Sequence, residues 1–511
     1  MSRKFYITTP IYYVNGSPHI GHAYTSIAAD VLARFNRHIG NEVFFLTGTD
    51  EHGQKIARTA EEKGVEPQIF VDSIAPNFKH LWEVLNVDYS FFIRTTDVFH
   101  KDTVRKALQK VYDNGDIYDS VYEGYYCVPC ETFFAEDDLL NGNCPDCGRP
   151  VELLKEKNYF FRLSKYQTWL LEYLRENKEF IRPVSRFNEV VSFLENNKLD
   201  DLCISRPKTR LSWGIELPFD AGYVTYVWFD ALLNYVSALE KENRTDFWPA
   251  DYHFIAKDIL RHHAVYWPIM LKALGLGIPK CIYSHGWWMI EKEDGQADKM
   301  SKSKGNVVNP FDVVEEFGRD AFRYFLLKEV PFGQDGKFSY KALVQRINSD
   351  LANDMGNLTY RTLSMIEKYY DGVIPEYNGN ILPEFKDILA TMTEEFMRAM
   401  ENTAFSEALE IVWRLVKAAN KSVEEYKPWE LKKTGQTDKL DEFMYNLAEA
   451  MRIVAAHIYC FMPSTAESVY SQFSTGRELS GSNLNEEVVF GLLRSGVRVA
   501  KQAPLFPRIE I

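Results

Sequence analysis

Residues 6–22 read YITTPIYYVNGSPHIGH, and this stretch decides the fold prediction. Tyr6 to Tyr13 is an apolar, β-branched and aromatic run typical of a strand, and Asn15-Gly16-Ser17-Pro18 is a turn cluster. The sequence therefore predicts a strand, a turn and then a helix whose first turn carries His19 and His22. Apolar residues recur at helical spacing from there on: Ile20, Tyr24, Ile27, Ala28, Val31, Leu32 and Phe35.

A helix N-terminus that follows a strand favours a phosphate, because its backbone N–H groups and its dipole attract an anion. Gly21 lies between the two histidines and removes a side chain that would obstruct a nucleotide. Capping or surface histidines are the alternative explanation for an isolated motif of this kind. A second motif, Lys299-Met300-Ser301-Lys302-Ser303, favours the functional explanation. Its flanking glycines predict a loop in which Lys299 and Lys302 close over a triphosphate, whereas a solvated basic loop is the alternative.

The chain has 511 residues, a formal net charge of −13 and 46% apolar residues. This length allows about three or four domains. The negative charge argues against non-specific coating of nucleic acid or membranes, so a nucleic-acid partner would have to meet local basic patches. The sequence shows no run of about 18 apolar residues and no signal or transit segment. We therefore expect a cytoplasmic protein without a membrane span.

Four of the seven cysteines form two CxxC pairs, Cys127 with Cys130 and Cys144 with Cys147. Thiolates at this spacing fit one tetrahedral ion, and four sulfur ligands leave no open position. We therefore predict a structural Zn²⁺ in a reducing compartment. A redox-active pair is the weaker alternative.

A second strand–turn–helix unit follows at residues 43–60, and two successive βα units predict a doubly wound parallel sheet. From about Asp116 the sequence changes to short aromatic strands, cysteine pairs and turns, and a buried-strand pattern returns at Tyr223 to Phe229. After Ser349 helical periodicity continues to about Gln472, which indicates a bundle. The predicted class is α/β: a Rossmann-type parallel sheet, split by a zinc-binding insertion and followed by an α-helical bundle.

His19-Ile20-Gly21-His22 together with Lys299-Met300-Ser301-Lys302-Ser303 resembles the HIGH and KMSKS signatures of class I aminoacyl-tRNA synthetases. Over essentially the whole chain, the sequence resembles the bacterial-type methionyl-tRNA synthetase family. The resemblance implies a ligase that activates methionine with ATP–Mg²⁺ as methionyl-adenylate and transfers it to the 3′ end of tRNA(Met). The matching stretches are residues 10–16, 47–53, 227–231, 257–259 with His263, and 427–429.

The resemblance also implies roles for individual residues. The catalytic residues would be His19, His22, Lys299 and Lys302. ATP would be bound by these four together with Gly21, Arg206 and Glu216. Asn357, Arg361 and Trp429 would read the CAU anticodon. Asp50 would hold the substrate ammonium, and the methionine pocket would consist of Ile11, Tyr13, Trp228, Ala231, Leu232, Tyr235, Ile259 and His263.

These roles suit the chemistry of the side chains. Aromatic rings make favourable contacts with a thioether, a carboxylate is the natural partner of an ammonium, and an indole stacks on a base. The family often has proline where this chain has Leu232. The alternatives are core packing for Trp228 and Tyr235, a surface ion pair for Arg206 and Glu216, and a solvated helix face for Asn357 and Arg361.

We divide the chain into five segments, two of which are halves of one domain, and the chain ends with the helical segment. Some family members carry a further tRNA-binding dimerisation domain after this segment, so we expect a monomer.

Three other functions fit part of the sequence: a sibling synthetase for cysteine or a branched aliphatic residue, a HIGH-type nucleotidyltransferase without tRNA, and a non-catalytic zinc-ribbon module. The predicted domains are 1–115 and 221–298 (the halves of the Rossmann catalytic domain), 116–220 (the zinc-binding connective insertion), 299–350 (the KMSKS loop and stem-contact region) and 351–511 (the helical anticodon-binding domain).

Overall fold

The computed structural model describes residues 2–127, 132–134, 136–145, 147–291, 297–299 and 307–510. The first strand and the first helix form where the sequence predicts them. Because helices cover both faces of this part of the sheet, the strand is an almost continuous apolar run. The first elements are β1 (Lys4–Tyr13), α1 (Ile20–His38), β2 (Glu42–Asp50), α2 (Gln54–Glu62), α3 (Pro67–Val84), β3 (Phe91–Arg94) and α4 (Val98–Asp113).

The next segment contains the cysteine pairs and two small antiparallel sheets. Long strands β4 and β6 pair over their whole length, with β5 and β8 at the edges, and β11 pairs with β10 and β9. The elements are β4 (Ile117–Cys127), β5 (Thr132–Phe134), β6 (Glu152–Phe161), α5 (Gln167–Glu176), β7 (Ile181–Arg182), α6 (Val184–Asn196), β8 (Leu202–Cys203), β9 (Ser205–Pro207), β10 (Glu216–Leu217) and β11 (Asp220–Thr225).

The chain then returns to the larger domain. The predicted strand from Tyr223 to Phe229 is wrong beyond Thr225, because Val227–Ala231 forms a short helix. A brief apolar run does not distinguish a buried strand from a buried helical turn. The elements are α7 (Val227–Ala231), α8 (Asn234–Lys241), β12 (Tyr252–Ala256), α9 (Trp267–Leu274), β13 (Ile282–His285), β14 (Trp288–Glu291), β15 (Ala297–Lys299), α10 (Pro310–Phe317), α11 (Arg319–Lys328) and β16 (Gly336–Phe338).

The remaining elements are helical, as predicted. Their amphipathic faces pack on one another, with α15 against α14 and α17. A π-helical segment over Ile347–Gly356 joins the first two of them. They are α12 (Tyr340–Arg346), α13 (Asn357–Tyr370), α14 (Pro383–Glu401), α15 (Phe405–Tyr426), α16 (Pro428–Lys433), α17 (Thr437–Ile458), α18 (Pro463–Gln472) and α19 (Leu484–Glu487).

The central sheet has the order β3–β2–β1–β12–β13–β7, and all its strands are parallel. Strand β7 lies inside the range 116–220, yet Ile181 pairs with Ile282 at the edge of this sheet. Alternate residues of β1 pack into two different hydrophobic cores on the two faces of the sheet. Phe5 and Ile7 belong to the core that includes α1 and the helical region, whereas Tyr6 belongs to the core that includes α8 and α9. The predicted α/β class with a helical C-terminal region is confirmed.

A buried cationic side chain connects the helical region to α1. Arg323 donates to Oδ2 of Asp30 at 2.7 Å and to the carbonyl oxygens of Cys460 at 3.0 Å and Phe461 at 2.8 Å. Asp30 also accepts from Arg34 at 2.8 Å. Because the Arg323 and Asp30 side chains are fully buried, this cluster fixes α1 against the bundle. Over the part of the chain that the structure describes, no helix combines the length and apolarity needed to span a membrane.

Candidate active site

A cavity of 840 Å³ opens where β1, β2 and β12 end. The strand order changes direction between β1 and β12, which is where open α/β sheets bind ligands. The cavity brings together all four residues of the first motif and all nine predicted methionine-binding residues. Its lining includes His19, Ile20, Gly21, His22, Ile11, Tyr13, Asp50, Trp228, Ala231, Leu232, Tyr235, Ile259 and His263.

The two histidines of the first motif form a reciprocal cap on α1. The backbone N–H of Gly21 donates to Nδ1 of His19 at 3.1 Å, and the backbone N–H of His19 donates to Nδ1 of His22 at 3.0 Å. Because both Nδ1 atoms accept, each neutral ring carries its proton on Nε2. The ring centroids lie 3.9 Å apart. The pair can therefore offer two Nε2–H donors at a helix N-terminus, which suits a polyphosphate.

Gly21 has a structural role besides leaving room for a nucleotide. A Cβ atom at this position would lie 3.0 Å from Cε1 and 3.1 Å from Nδ1 of His19. The absence of a side chain lets the His19 ring fold over the first turn of α1.

Another part of the cavity lining is aromatic. Trp228 stacks on His262 with centroids 3.8 Å apart. The Tyr235 hydroxyl donates to Nε2 of His263 at 2.8 Å, because Nδ1 of His263 donates to the carbonyl oxygen of Ile259 at 3.0 Å. Burial lowers the pKa of His263 to about 4, so the ring stays neutral near pH 7. A neutral, aromatic pocket of this kind suits an uncharged, polarisable side chain.

Asp50 also lines the cavity. It is the last residue of β2, is 8% exposed and pairs in register with Tyr13 of β1. A buried carboxylate at this position can hold a substrate ammonium between the aromatic pocket and the histidine pair.

The cysteine cluster lies in the insertion. The Sγ atoms of Cys127, Cys144 and Cys147 lie within 4.8 Å of one another, with 3.5 Å between Cys127 and Cys147. Cys130, the fourth predicted ligand, lies outside the described residues. Three thiols this close fit the ligand set of a tetrahedral Zn²⁺ whose Zn–S bonds are about 2.3 Å long.

Replacing Cys144 with serine should remove the bound zinc and destabilise the sheet β4–β5–β6–β8, because a structural zinc contributes directly to folding. Metal analysis and hydrogen exchange over residues 117–161 measure both effects. Cys460→Ala, a change in the helical region, should leave the zinc content unchanged. Full folding and activity without metal would contradict the zinc prediction.

Comparison with known proteins places the chain in a family. The sequence profile described as tRNA synthetases class I (M) matches residues 5–152 and 147–363. The methionine–tRNA ligase of Caldanaerobacter subterraneus subsp. tengcongensis is 48% identical over 519 residues, which cover 100% of this chain and 80% of that protein. The chain belongs to the methionyl-tRNA synthetase family. The methionine–tRNA ligase of Bacillus subtilis is 46% identical over 530 residues, which cover 100% of this chain and 78% of that protein.

Solved structures of this family resemble this chain over nearly its whole length. The Mycobacterium tuberculosis methionyl-tRNA synthetase in complex with methionyl-adenylate has a TM-score of 0.92 and 39% identity, covering 99% of this chain and 100% of that one. The apo form of that enzyme has a TM-score of 0.86 and 36% identity, and the match covers 100% of this chain and 99% of that one. The resemblance seen in the motifs is thereby confirmed.

Neither of two residues predicted for ATP binding, Arg206 and Glu216, is among the described residues that line the cavity. Arg206 is buried in the insertion, where its guanidinium lies over the rings of Tyr126 and Tyr226, 5.0 and 5.3 Å from their centroids. Glu216 forms a surface ion pair with Lys208 at 2.5 Å. The predicted ATP contacts of Arg206 and Glu216 stay predictions.

The second motif is described only in part. Lys302 lies outside the described residues, and Lys299 is described through its backbone, which ends β15 and pairs with Met289. The chain beyond the motif returns to the histidine pair, since the backbone N–H of Ile20 donates to the carbonyl oxygen of Val308 at 3.3 Å. The catalytic roles of Lys299 and Lys302 stay predictions.

The predicted anticodon residues lie on neighbouring helices. Asn357 and Arg361 are one turn apart on α13, and Arg361 donates to Glu424 of α15 at 2.9 Å. Trp429, on α16, is 39% exposed. Lys432 ties α16 to α13 by donating to the carbonyl oxygen of Tyr369 at 3.0 Å. An exposed indole suits stacking on an unpaired base, and base recognition by Arg361 would require its ion pair with Glu424 to open.

Sequence reasoning missed several buried side chains around the cavity. His285 lines it and shares a 2.7 Å hydrogen bond with Thr25 of α1. His52 and Asp230 lie behind its lining and are joined by a hydrogen bond of 2.6 Å. Both fall within stretches that match the family, residues 47–53 and 227–231, so the motifs contained a signal for them.

Stability should fall when the solution is acidified below pH 6.5. Burial lowers the pKa of six described histidines, well below 6.5 for His253, to about 3 for His262 and to about 4 for His38, His263, His285 and His457. Between these values and about 6.5 the unfolded chain binds more protons than the folded chain, so the free energy of unfolding decreases with decreasing pH. Each histidine contributes at most ~1.4 kcal/mol per pH unit.

Urea titrations between pH 7 and 4.5 measure this dependence. His457→Gln should reduce its slope, whereas His80→Gln, at an exposed position, should leave it unchanged. A urea midpoint that does not change across this range would contradict the prediction.

Proposed function

We propose that the chain is a methionine–tRNA ligase that forms methionyl-adenylate from methionine and ATP and transfers the methionyl group to the 3′ end of tRNA(Met). One observation carries the proposal. A single cavity holds the histidine pair at a helix N-terminus, the carboxylate of Asp50 and a neutral aromatic pocket. These groups match the phosphates, the ammonium and the thioether of the two substrates.

In the first step the methionine carboxylate attacks the α-phosphate of ATP, and pyrophosphate leaves. Asp50 holds the ammonium, and the pocket of Trp228, Tyr235 and His263 holds the side chain, so that the carboxylate faces the phosphate. The Nε2–H groups of His19 and His22 donate to the phosphate oxygens as charge develops on them. The step needs no covalent nucleophile from the chain, and the rate comes from positioning and electrostatic stabilisation.

In the second step a hydroxyl of the terminal tRNA adenosine attacks the carbonyl carbon of the adenylate, and AMP leaves. Mg²⁺ bound with ATP would neutralise charge on the phosphates. Zn²⁺ held by Cys127, Cys144 and Cys147, with Cys130, would be structural. We place this reaction in the cytoplasm.

Trp429→Ala should weaken charging of tRNA(Met) and spare formation of the adenylate. Base stacking contributes about 1–3 kcal/mol, so kcat/KM for tRNA should fall by ~5–150-fold. Aminoacylation of a transcript with a CAU anticodon tests the proposed function, and ATP–pyrophosphate exchange on the same enzyme is the control. Failure of the unmodified protein to charge this transcript would contradict the transfer step. Equal loss of both activities in the variant would show that Trp429 acts in folding.

A further inference from the structure

Asp230 lies buried between two histidines that come from other elements. Its Oδ2 accepts from Nδ1 of His52 at 2.6 Å, and its Oδ1 accepts from Nε2 of His100 at 2.8 Å. His100 continues the network through a 2.8 Å hydrogen bond between its Nδ1 and Oγ of Ser237. The three ionisable side chains are at most 3% exposed. A carboxylate bonded through both oxygens cannot rotate without losing a charge-assisted hydrogen bond.

The network joins two sides of the cavity without lining it. His52 lies two residues after Asp50, which ends β2, and Asp230 lies in α7 between Trp228 and Ala231. Asp50, Trp228 and Ala231 line the cavity, whereas Asp230, His52 and His100 do not. The bond between His52 and Asp230 therefore fixes the segment that holds the ammonium relative to the segment that faces the side chain.

Helix α7 needs such an anchor because it has only five residues. A helix of this length has no stability of its own, so tertiary contacts determine its position. The network also stays charged: although burial opposes ionisation, His52 and His100 hold the pKa of Asp230 below its usual value.

We propose that Asp230 and His52 are positioning residues that set the width of the amino-acid pocket and thereby the selection of methionine over longer side chains. The inference rests on the proposed function, because it concerns the same pocket. Neither residue touches the substrate; each acts through the place that it gives to Asp50, Trp228 and Ala231.

The test compares methionine with ethionine, which is longer by one methylene. A well-fitted apolar pocket separates such substrates by about 10–200-fold. In His52→Ala the ratio of kcat/KM for methionine to that for ethionine should fall about tenfold, because α7 can move outward. The KM for ATP should stay within twofold. Ser237→Ala, which removes the far end of the network and keeps the bond between His52 and Asp230, should leave the ratio unchanged.

Asp230→Asn is the second variant, since its side chain has the same shape. The amide NH2 group would face the N–H of one of the two histidines, and two donors cannot form a hydrogen bond. The ratio of kcat/KM for methionine to that for ethionine should therefore fall in this variant as well. A folded His52→Ala or Asp230→Asn protein that keeps the ratio within twofold would overturn the inference, even if its thermal midpoint falls. Absence of methionine-dependent exchange in the unmodified protein would instead overturn the proposed function itself.

Discussion

His22→Ala should lower kcat for amino-acid activation by about 10²–10³, which is the usual cost of removing one donor from a developing anionic centre. The Nε2–H of His22 would donate to the phosphate only as charge develops, so the KM for methionine should change little. The substitution also removes the acceptor for the backbone N–H of His19, which costs about 1 kcal/mol in helix capping. This loss is too small to unfold the protein.

Pyrophosphate exchange and the thermal midpoint, measured together, separate the two effects. His80→Ala is the matched control, because His80 lies on α3 and its side chain is 65% exposed. A kcat within threefold of the unmodified protein would show that His22 contributes little to catalysis.

Arg323→Met should lower the free energy of unfolding by about 3–5 kcal/mol, because removing one partner of a buried ion pair is strongly destabilising. Asp30 keeps Arg34, but the carbonyl oxygens of Cys460 and Phe461 lose a charged donor. The contact between α1 and the helical region should loosen as a result.

Urea titration measures this loss. Arg319→Met is the control: Arg319 lies on the same helix at an exposed position, where a substitution costs less than about 0.5 kcal/mol. A loss below 1 kcal/mol for Arg323→Met would show that the cluster does not hold the two regions together.

The parts of the fold that periodicity predicts are those built from neighbouring residues. The strand before His19, the helix after it and the helical C-terminal region each bury a repeating apolar pattern, and that pattern is visible in the sequence. Strand β7 was not predictable in this way, because a two-residue strand has no pattern and depends on its partner β13. Helix α7 was not predicted, because its short apolar run fits a strand equally well.

The cavity lining followed from matched motifs, whereas the contacts between the buried residues behind it did not. His52 and Asp230 are 178 positions apart, and Arg323 and Asp30 are 293 apart. Nothing local in the sequence connects such pairs, since only the folded chain brings them together. Arg206 shows the same limit: its position over the rings of Tyr126 and Tyr226 was not predictable from the motif that contains it.

The most direct test of the account is amino-acid-dependent ATP–pyrophosphate exchange, run in parallel with methionine, cysteine, leucine, isoleucine and valine. The neutral aromatic pocket around Trp228, Tyr235 and His263 predicts exchange dominated by methionine. Exchange dominated by any of the other four would contradict the assignment of this pocket, and exchange with none of the five would contradict the proposed activation step.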